Sequence, residues 1–302
     1  MTTDLVRTSL EERIKGVHAM PTVPPTLLPL LHMLELPADQ WDMRKLVDLI
    51  ACDPSLAAQC LRMANSPLFG RSRTITTIHA AVITIGTGRL WDLLTAFCFM
   101  DLAPADLWLM DPLAFWEHSF GCALISRHLA QTVGFAQPDK AYAGGLLHDI
   151  GEMVNSLLFP KEFRAAADLA FAEQLPLVEA EQYVMGISHC EAGRLLAEHW
   201  HLPRDLVQVI QCHHHQVPPA PECAPLVMIV SLADLLCRVR GMDYGYYEAV
   251  QVDLVADPAW LYLVREYPRL QGLDLVRLSH ELDDFAAEAK RIVASVFRAD
   301  SP

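Results

Sequence analysis

The sequence predicts an all-α fold. Apolar residues recur at helical rather than alternating spacing along most of the chain, Gly-rich hairpin turns are scarce, and the gaps between apolar runs carry helix-starting residues such as Asp53-Pro54. With 302 residues, 52% of them hydrophobic and 20% charged, the chain can bury a large core in one large domain or two smaller ones.

Residues 1–19 are expected to form an N-terminal helical extension. A first lobe over 20–105 opens with the rigid loop Met20-Pro21-Thr22-Val23-Pro24-Pro25 and runs into the apolar series Leu27, Leu28, Leu30, Leu31, Leu34. Asp42 caps a helix carrying Leu46, Val47, Leu49 and Ile50. Asp53 caps the next one, with Pro54 at its first position and an end at Asn65-Ser66-Pro67. Thr76 or Thr77 caps Ile78 to Ile85, which Gly86 stops, and Gly88 to Met100 is a further apolar helix. Residues 101–112, with two prolines and three acids, read as a connector to a second lobe over 106–240. That lobe has helices near 113–134, 138–158, 160–174, 188–200, 203–214 and 222–240. Residues 241–302 form a C-terminal helical extension, with a loop at Gly241 to Gly245, a short helix near 258–266 and an amphipathic last helix over 274–297. That helix either packs on the body or dimerises.

A formal charge of −14 excludes broad binding to a nucleic-acid backbone, which needs clustered cations. Arg62 with Arg71-Ser72-Arg73 is the notable basic group of the first lobe. No window approaches the about 20 uninterrupted apolar residues of a membrane span, and the N-terminus lacks a signal-peptide pattern. A cytoplasmic protein without membrane contact is expected. The eight cysteines contain no CxxC pair and read as reduced thiols acting as small core residues, with Cys52, Cys60, Cys98, Cys122 and Cys237 in apolar helices.

The chemistry lies in the histidines, thirteen in all and clustered. In Gly144-Gly145-Leu146-Leu147-His148-Asp149-Ile150-Gly151 an adjacent His-Asp pair sits in an apolar helix, a costly burial without partners. A divalent metal supplies one. Helical neighbours project about 100° apart, so the pair can grip one ion only at an end or kink, a break that Gly151 supplies; Asp149 could also bridge two ions. His118, His189, the run His213-His214-His215 and Asp234 recur in the same lobe. Taken singly, each histidine also reads as a core residue bonded to a carbonyl, Asp234 as a cap or ion-pair partner, and the triple as a solvated helix end. Together, mixed imidazole and carboxylate donors suit Fe, Mn, Zn or Co and not Ca.

The order His118, His148-Asp149, Asp234 resembles the metal-binding pattern of the HD phosphohydrolase superfamily. His189 and His213-His214 match the further ligands of its HD-GYP branch, the cyclic-di-GMP phosphodiesterases with two- or three-metal centres. The first lobe, with Met20-Pro21-Thr22-Val23-Pro24, Asp53-Pro54-Ser55-Leu56-Ala57-Ala58, Ala64-Asn65-Ser66-Pro67-Leu68-Phe69-Gly70 and Ile75-Thr76-Thr77-Ile78-His79, closely resembles the HDOD (HD-related output domain) family over residues 18 to 240. The resemblance implies a helical N-terminal lobe packed on an HD-like bundle, a role in bacterial signal transduction and, in many members, loss of the HD ligands. This chain keeps all seven positions. It departs from HD-GYP enzymes in having His215-Gln216-Val217-Pro218-Pro219 where the GYP segment would run, and Tyr244-Gly245-Tyr246-Tyr247 lies too far downstream to replace it. Glu152 stands where a phosphate-contacting lysine usually follows the HD pair, and a carboxylate there repels phosphate.

Two functions follow. One is a regulatory signalling module that acts on a protein partner, with one or two Fe, Mn or Zn ions in a structural, redox-sensing or vestigial role. The other is a metal-dependent phosphohydrolase of a nucleotide, cyclic dinucleotide or other phosphoester, in which Asp149 holds the attacking water and Lys140, Arg194 or Arg204 neutralises the phosphate.

Overall fold

The computed structural model describes residues 27–33, 40–65, 74–86, 89–90, 94, 111–215, 217–243, 253–272 and 275–297, and among these every regular element is helical. Several expectations lie outside the described residues: the extension over 1–19, the Met20–Pro25 loop, Ser66-Pro67, Arg71 to Arg73, most of the helix at 88–100, the connector over 101–110, and Tyr244 to Tyr247. No helix among those described is long and apolar enough to cross a membrane. Contacts divide the chain into two units, one of Met1–Pro21 with Pro104–Ala289 and one of Thr22–Ala103 with Lys290–Pro302.

The smaller unit contains α1 (Leu27–Met33), α2 (Met43–Cys52), α3 (Pro54–Ala64) and α4 (Ile78–Ile85). Asp42 caps α2 through the Arg44 and Lys45 amides, and Asp53 takes the Leu56 amide at the start of α3. Of the two threonines, Thr77 caps α4 through the Ala80 amide. Gly86 ends α4 at φ 82°, a conformation that few side chains tolerate. The Asn65 side chain donates to the Leu61 and Ile75 carbonyls and accepts from the Ile75 amide, tying the end of α3 to the chain ten residues on. Cys52 corrects an expectation. It ends α2 on the solvent side and is exposed, whereas Cys60, Cys122 and Cys237 are buried as expected.

The larger unit is built on α5 (Pro112–Val133), capped by Asp111, with α6 (Pro138–Leu147) and α12 (Ala224–Val239) against it. Between them in sequence run α7 (Ile150–Leu158), α8 (Pro160–Glu173), α9 (Leu177–Val184), α10 (His189–His199) and α11 (Arg204–Cys212). The short α13 (Pro258–Glu266), a 3-10 turn and α14 (Leu275–Phe297) follow, and Ala259, Leu263, Leu270, Leu278 and Leu282 from these elements join Ile125, Leu129, Val227 and Val230 in one core. Apolar residues between Ala259 and Leu282 therefore complete the core of this unit.

Two differences from the sequence reading bear on function. The expected helix over 138–158 is two helices, broken at His148-Asp149, where Asp149 takes φ −99°, ψ 14°. Gly151 lies inside α7 and is not the break. A Cβ there would stand 1.8 Å from the His189 carbonyl oxygen, so its small size lets α7 and α10 touch backbone to backbone. The second is α9, for which no helix is expected from the sequence and which carries Glu181.

Candidate metal centre

Close backbone approaches draw the polar residues together. At Gly145 a Cβ would lie 2.8 Å from the backbone of Ala123, so α6 lies directly on α5 and the end of α6 delivers His148 beside His118. The Gly151 contact likewise sets the start of α7, and Asp149 just before it, against His189 at the start of α10. His213 and His214 follow the end of α11, and Asp234 lies on α12, whose other buried residues are apolar apart from Ser231.

All seven residues singled out in the sequence meet at this place. Asp149 lies at the centre. Its Oδ2 is 3.0 Å from His148 Nε2 and 3.5 Å from His118 Nε2, while its Oδ1 is 3.1 Å from His213 Nε2 and 3.6 Å from His189 Nε2. Asp234 Oδ1 faces the first pair, 3.4 Å from His118 Nε2 and 3.8 Å from His148 Nε2. Its Oδ2 meets Arg238 Nη2 at 3.0 Å and lies 4.0 Å from His214 Nδ1. The carboxylate of Asp149 thus faces two groups of donors, one on each oxygen.

The ring orientations are fixed from behind. His118 Nδ1 donates to the Met242 carbonyl at 2.6 Å and His148 Nδ1 to the Gly145 carbonyl at 2.8 Å. His213 Nδ1 donates to the Ile210 carbonyl at 3.0 Å, and His189 Nδ1 to Glu181 Oε2 at 2.7 Å. Each of these acceptors can only accept, which puts the proton of the neutral ring on Nδ1 and turns the Nε2 lone pair inward. His118 Nε2 and His148 Nε2 then face each other at 3.1 Å. Two lone pairs at that distance repel unless a proton or a cation stands between them. His189 Nε2 is buried with no hydrogen-bond partner.

The site is nearly closed. His118, His148, Asp149, His189, His213 and Asp234 are all at most 4% exposed, and His214 is half-buried. Burial opposes the charged forms, yet the groups sustain one another. Asp149 is held well below the usual carboxylate range by His148 and His213, against the cost of its burial. Burial likewise disfavours protonation of His148, but Asp149 beside it raises it well above the ordinary histidine value. His213 is brought up to about 9 by Cys190 and Asp149 despite its burial. Burial, and then His213 and His189, push His214 well down. Arg238 overcomes the burial of Asp234 and holds its carboxyl low.

The donors fit a divalent transition metal. Ligand atoms of His118, His148 and Asp149 lie within 4.8 Å of one another, and so do those of His189, Cys190, His213 and His214, and those of Asp149, Glu152 and His189. Cys190 and Glu152 are not evident as donors in the sequence, Cys190 because it reads as a reduced thiol and Glu152 because it reads as a substituted phosphate contact. Its place one helical turn after Asp149 is the signal that could have found Glu152. The three expected phosphate contacts are engaged elsewhere: Lys140 with Asp205 at 2.7 Å, Arg194 with Glu198 at 2.7 Å, and Arg204 with Glu222 at 2.8 Å. Among the described residues, Arg238 is a cation beside the cluster, paired with Asp234.

Known proteins share this architecture. The HDOD domain family model matches residues 20–216. The crystal structure of an HDOD domain protein of unknown function from Geobacter sulfurreducens superposes with a TM-score of 0.78 at 30% identity, over 97% of this chain and 99% of that one. A Treponema pallidum protein of uncharacterised function is 27% identical over 241 residues, 79% of this chain and 45% of its own length. Ribonuclease Y of Thermotoga maritima is 29% identical over 124 residues, 41% of this chain and 18% of the enzyme. The chain spans less than half the length of these curated relatives. The family match covers more than half of the chain and includes the lobe whose Asn65 bridge and helix caps are described above, as well as the meeting place of His118, His148, Asp149, His189 and His213-His214; the chain belongs to the HDOD family.

Proposed function

We propose that this chain is a bacterial signal-transduction module that acts on a protein partner, with a divalent transition metal (Fe, Mn or Zn) held in one or two positions by His118, His148, Asp149, His189, His213, His214 and Asp234. The observation that carries the proposal is the inward aim of the Nε2 atoms of four histidines, each tied through Nδ1 to a fixed acceptor. His118, His148, Asp149 and Asp234 would hold one position, and Asp149 with His189, His213 and His214 the other. A bound ion would replace the protons of the cluster and fasten α5, α6, α10, α11 and α12 to one another, so that metal binding stabilises the arrangement presented to the partner. Elemental analysis after anaerobic reconstitution tests this. About one or two equivalents of metal per chain are expected, with a rise in melting temperature. Less than a few tenths of an equivalent refutes the metal centre.

A second reading, metal-dependent phosphohydrolysis of a nucleotide, cyclic dinucleotide or other phosphoester, draws on the central place of Asp149 between two donor groups and on the partial similarity to a ribonuclease. When bound, the metal would supply a lowered water pKa and charge stabilisation at phosphorus. Asp149 would orient the water, with the buried carboxyl of Glu152 beside it. A phosphodiesterase screen with Mn or Fe(II) separates the two readings. Turnover that is abolished in a folded, metal-replete Asp149→Ala variant would replace the regulatory reading with the hydrolytic one.

A further inference from the structure

The residues on the far side of Asp149 do not form an all-nitrogen-and-oxygen site. Cys190, next to His189 in the first turn of α10, is buried, and its Sγ lies 4.0 Å from His213 Nε2. Its sulfur belongs to a group with His189, His213 and His214 in which the ligand atoms all lie within 4.8 Å of one another. Sulfur and nitrogen ligands of one tetrahedral zinc or cobalt ion, at about 2.3 Å and 2.0–2.1 Å from the metal, stand about 3.5 Å apart, so the Cys190–His213 pair needs to close by about half an ångström and the group, bounded at 4.8 Å, by up to about 1.3 Å. Consecutive residues can serve one ion here because both lie at the start of the helix, where the chain has only begun to wind.

We infer that Cys190 is a thiolate ligand of the second metal position, completing with His189, His213 and His214 a sulfur-containing site beside the nitrogen-and-oxygen site of His118, His148, Asp149 and Asp234. This rests on the metal-centre reading above. On binding, the thiol proton passes to solvent and an S–metal bond replaces the S–H bond; no electrons are exchanged. A soft sulfur donor favours zinc over manganese at this position, so the two positions differ in the metal they prefer.

Cobalt(II) loaded into the full chain tests it, because a cysteine thiolate on cobalt gives an intense near-ultraviolet charge-transfer band that imidazole and carboxylate donors lack. The wild-type protein should show this band with at least one equivalent of cobalt bound. Cys190→Ser should lose the band while keeping its helical circular dichroism and the cobalt of the first position, and should bind zinc about 10–100-fold more weakly at the second. Cys60→Ser, a buried thiol of the smaller unit, should keep the band. Cobalt bound without the band, or a band that survives Cys190→Ser, overturns the inference and leaves the metal centre standing. No cobalt bound at all overturns both.

Discussion

Glu181 carries no expected ligand role, yet its removal should be among the most damaging changes outside the donor set. The side chain is fully buried on α9. Its Oε2 accepts from His189 Nδ1 at 2.7 Å and from the His189 backbone amide at 2.8 Å, and its Oε1 accepts from Asn155 Nδ2 at 2.8 Å. Glu181→Ala leaves three buried donors without their acceptor. At about 1–3 kcal/mol for each unsatisfied group, the metal-free protein should lose at least about 3 kcal/mol. The second effect is on metal. With Nδ1 unanchored, the His189 ring can take the other tautomer and turn its Nε2 lone pair away from Asp149, and the loss of such a partner typically weakens metal binding about 10–100-fold. Urea unfolding of chelator-treated protein measures the first effect, and competition against a chromophoric zinc chelator measures the second. Glu181→Gln should recover part of the stability, because one amide oxygen still accepts, and less of the affinity, because the carboxylate charge is gone. Unchanged zinc affinity in a folded Glu181→Ala protein would refute the argument that His189 is aimed by this carboxylate.

Further predictions follow from the same geometry. Gly151→Ala places a methyl group where the His189 carbonyl stands 1.8 Å away, so α7 and α10 must separate; we expect a loss of about 3 kcal/mol or more in urea unfolding and a matching fall in bound metal. Asp149→Asn keeps the shape of the side chain but removes the charge that both donor groups share, so metal stoichiometry should fall at both positions together, read by elemental analysis. The pH dependence should have opposite signs with and without metal. His148 and His213 are raised in the folded protein, so in chelator-treated protein their contribution is complete below about 6.5 and is lost as pH rises, for His213 through about 9. Asp149 and Asp234 are depressed, so theirs is present above the ordinary carboxylate range and is lost only as pH falls well below it. Metal needs the histidines neutral, so its binding should strengthen over the interval in which the metal-free protein weakens. Melting temperatures of both forms from pH 6 to 9 check this, and parallel slopes would contradict it.

The residues that meet around Asp149 were legible because each announces itself by type: a histidine or aspartate in an apolar helix is conspicuous, and seven of them in one lobe form a pattern. The elements that aim them were not. Glu181 sits in Leu177–Val184, a two-turn segment too short for its periodicity to stand out, and its partner is known only once α9 lies beside α10. Gly151 reads as a helix breaker and proves to be a contact point, since sequence shows that a glycine can break a helix but not that another backbone lies against it. The smaller unit was legible to the residue at Asp42, Asp53 and Gly86, where capping is local chemistry. The bridge from Asn65 to Ile75 spans ten residues and carries no periodic signal.

The donor inventory also bears on the choice between regulation and catalysis. Catalytic zinc-type sites keep a coordination position open for water, and structural sites fill it with protein. On the proposed reading the first position would have His118, His148, Asp149 and Asp234, and the second His189, His213, His214 and, by the inference above, Cys190 besides the second oxygen of Asp149, with Glu152 in reach. Four or more protein donors on each side, in a cluster at most 4% exposed apart from His214, leave little room for an exchangeable water and less for a phosphate beside Glu152. That saturation, and not the absence of a substrate motif alone, is the physical argument for a module whose metal fixes a conformation. It also predicts which single change should move the balance. Removing Cys190 empties one place at the second position without touching Asp149, so Cys190→Ala is the variant in which water exchange at the centre, read by the relaxivity of bound Mn(II), should rise above wild type. A wild-type relaxivity already as high as that of a water-exposed Mn(II) site would weaken the regulatory reading, and the absence of a rise in the variant would count against Cys190 as a ligand.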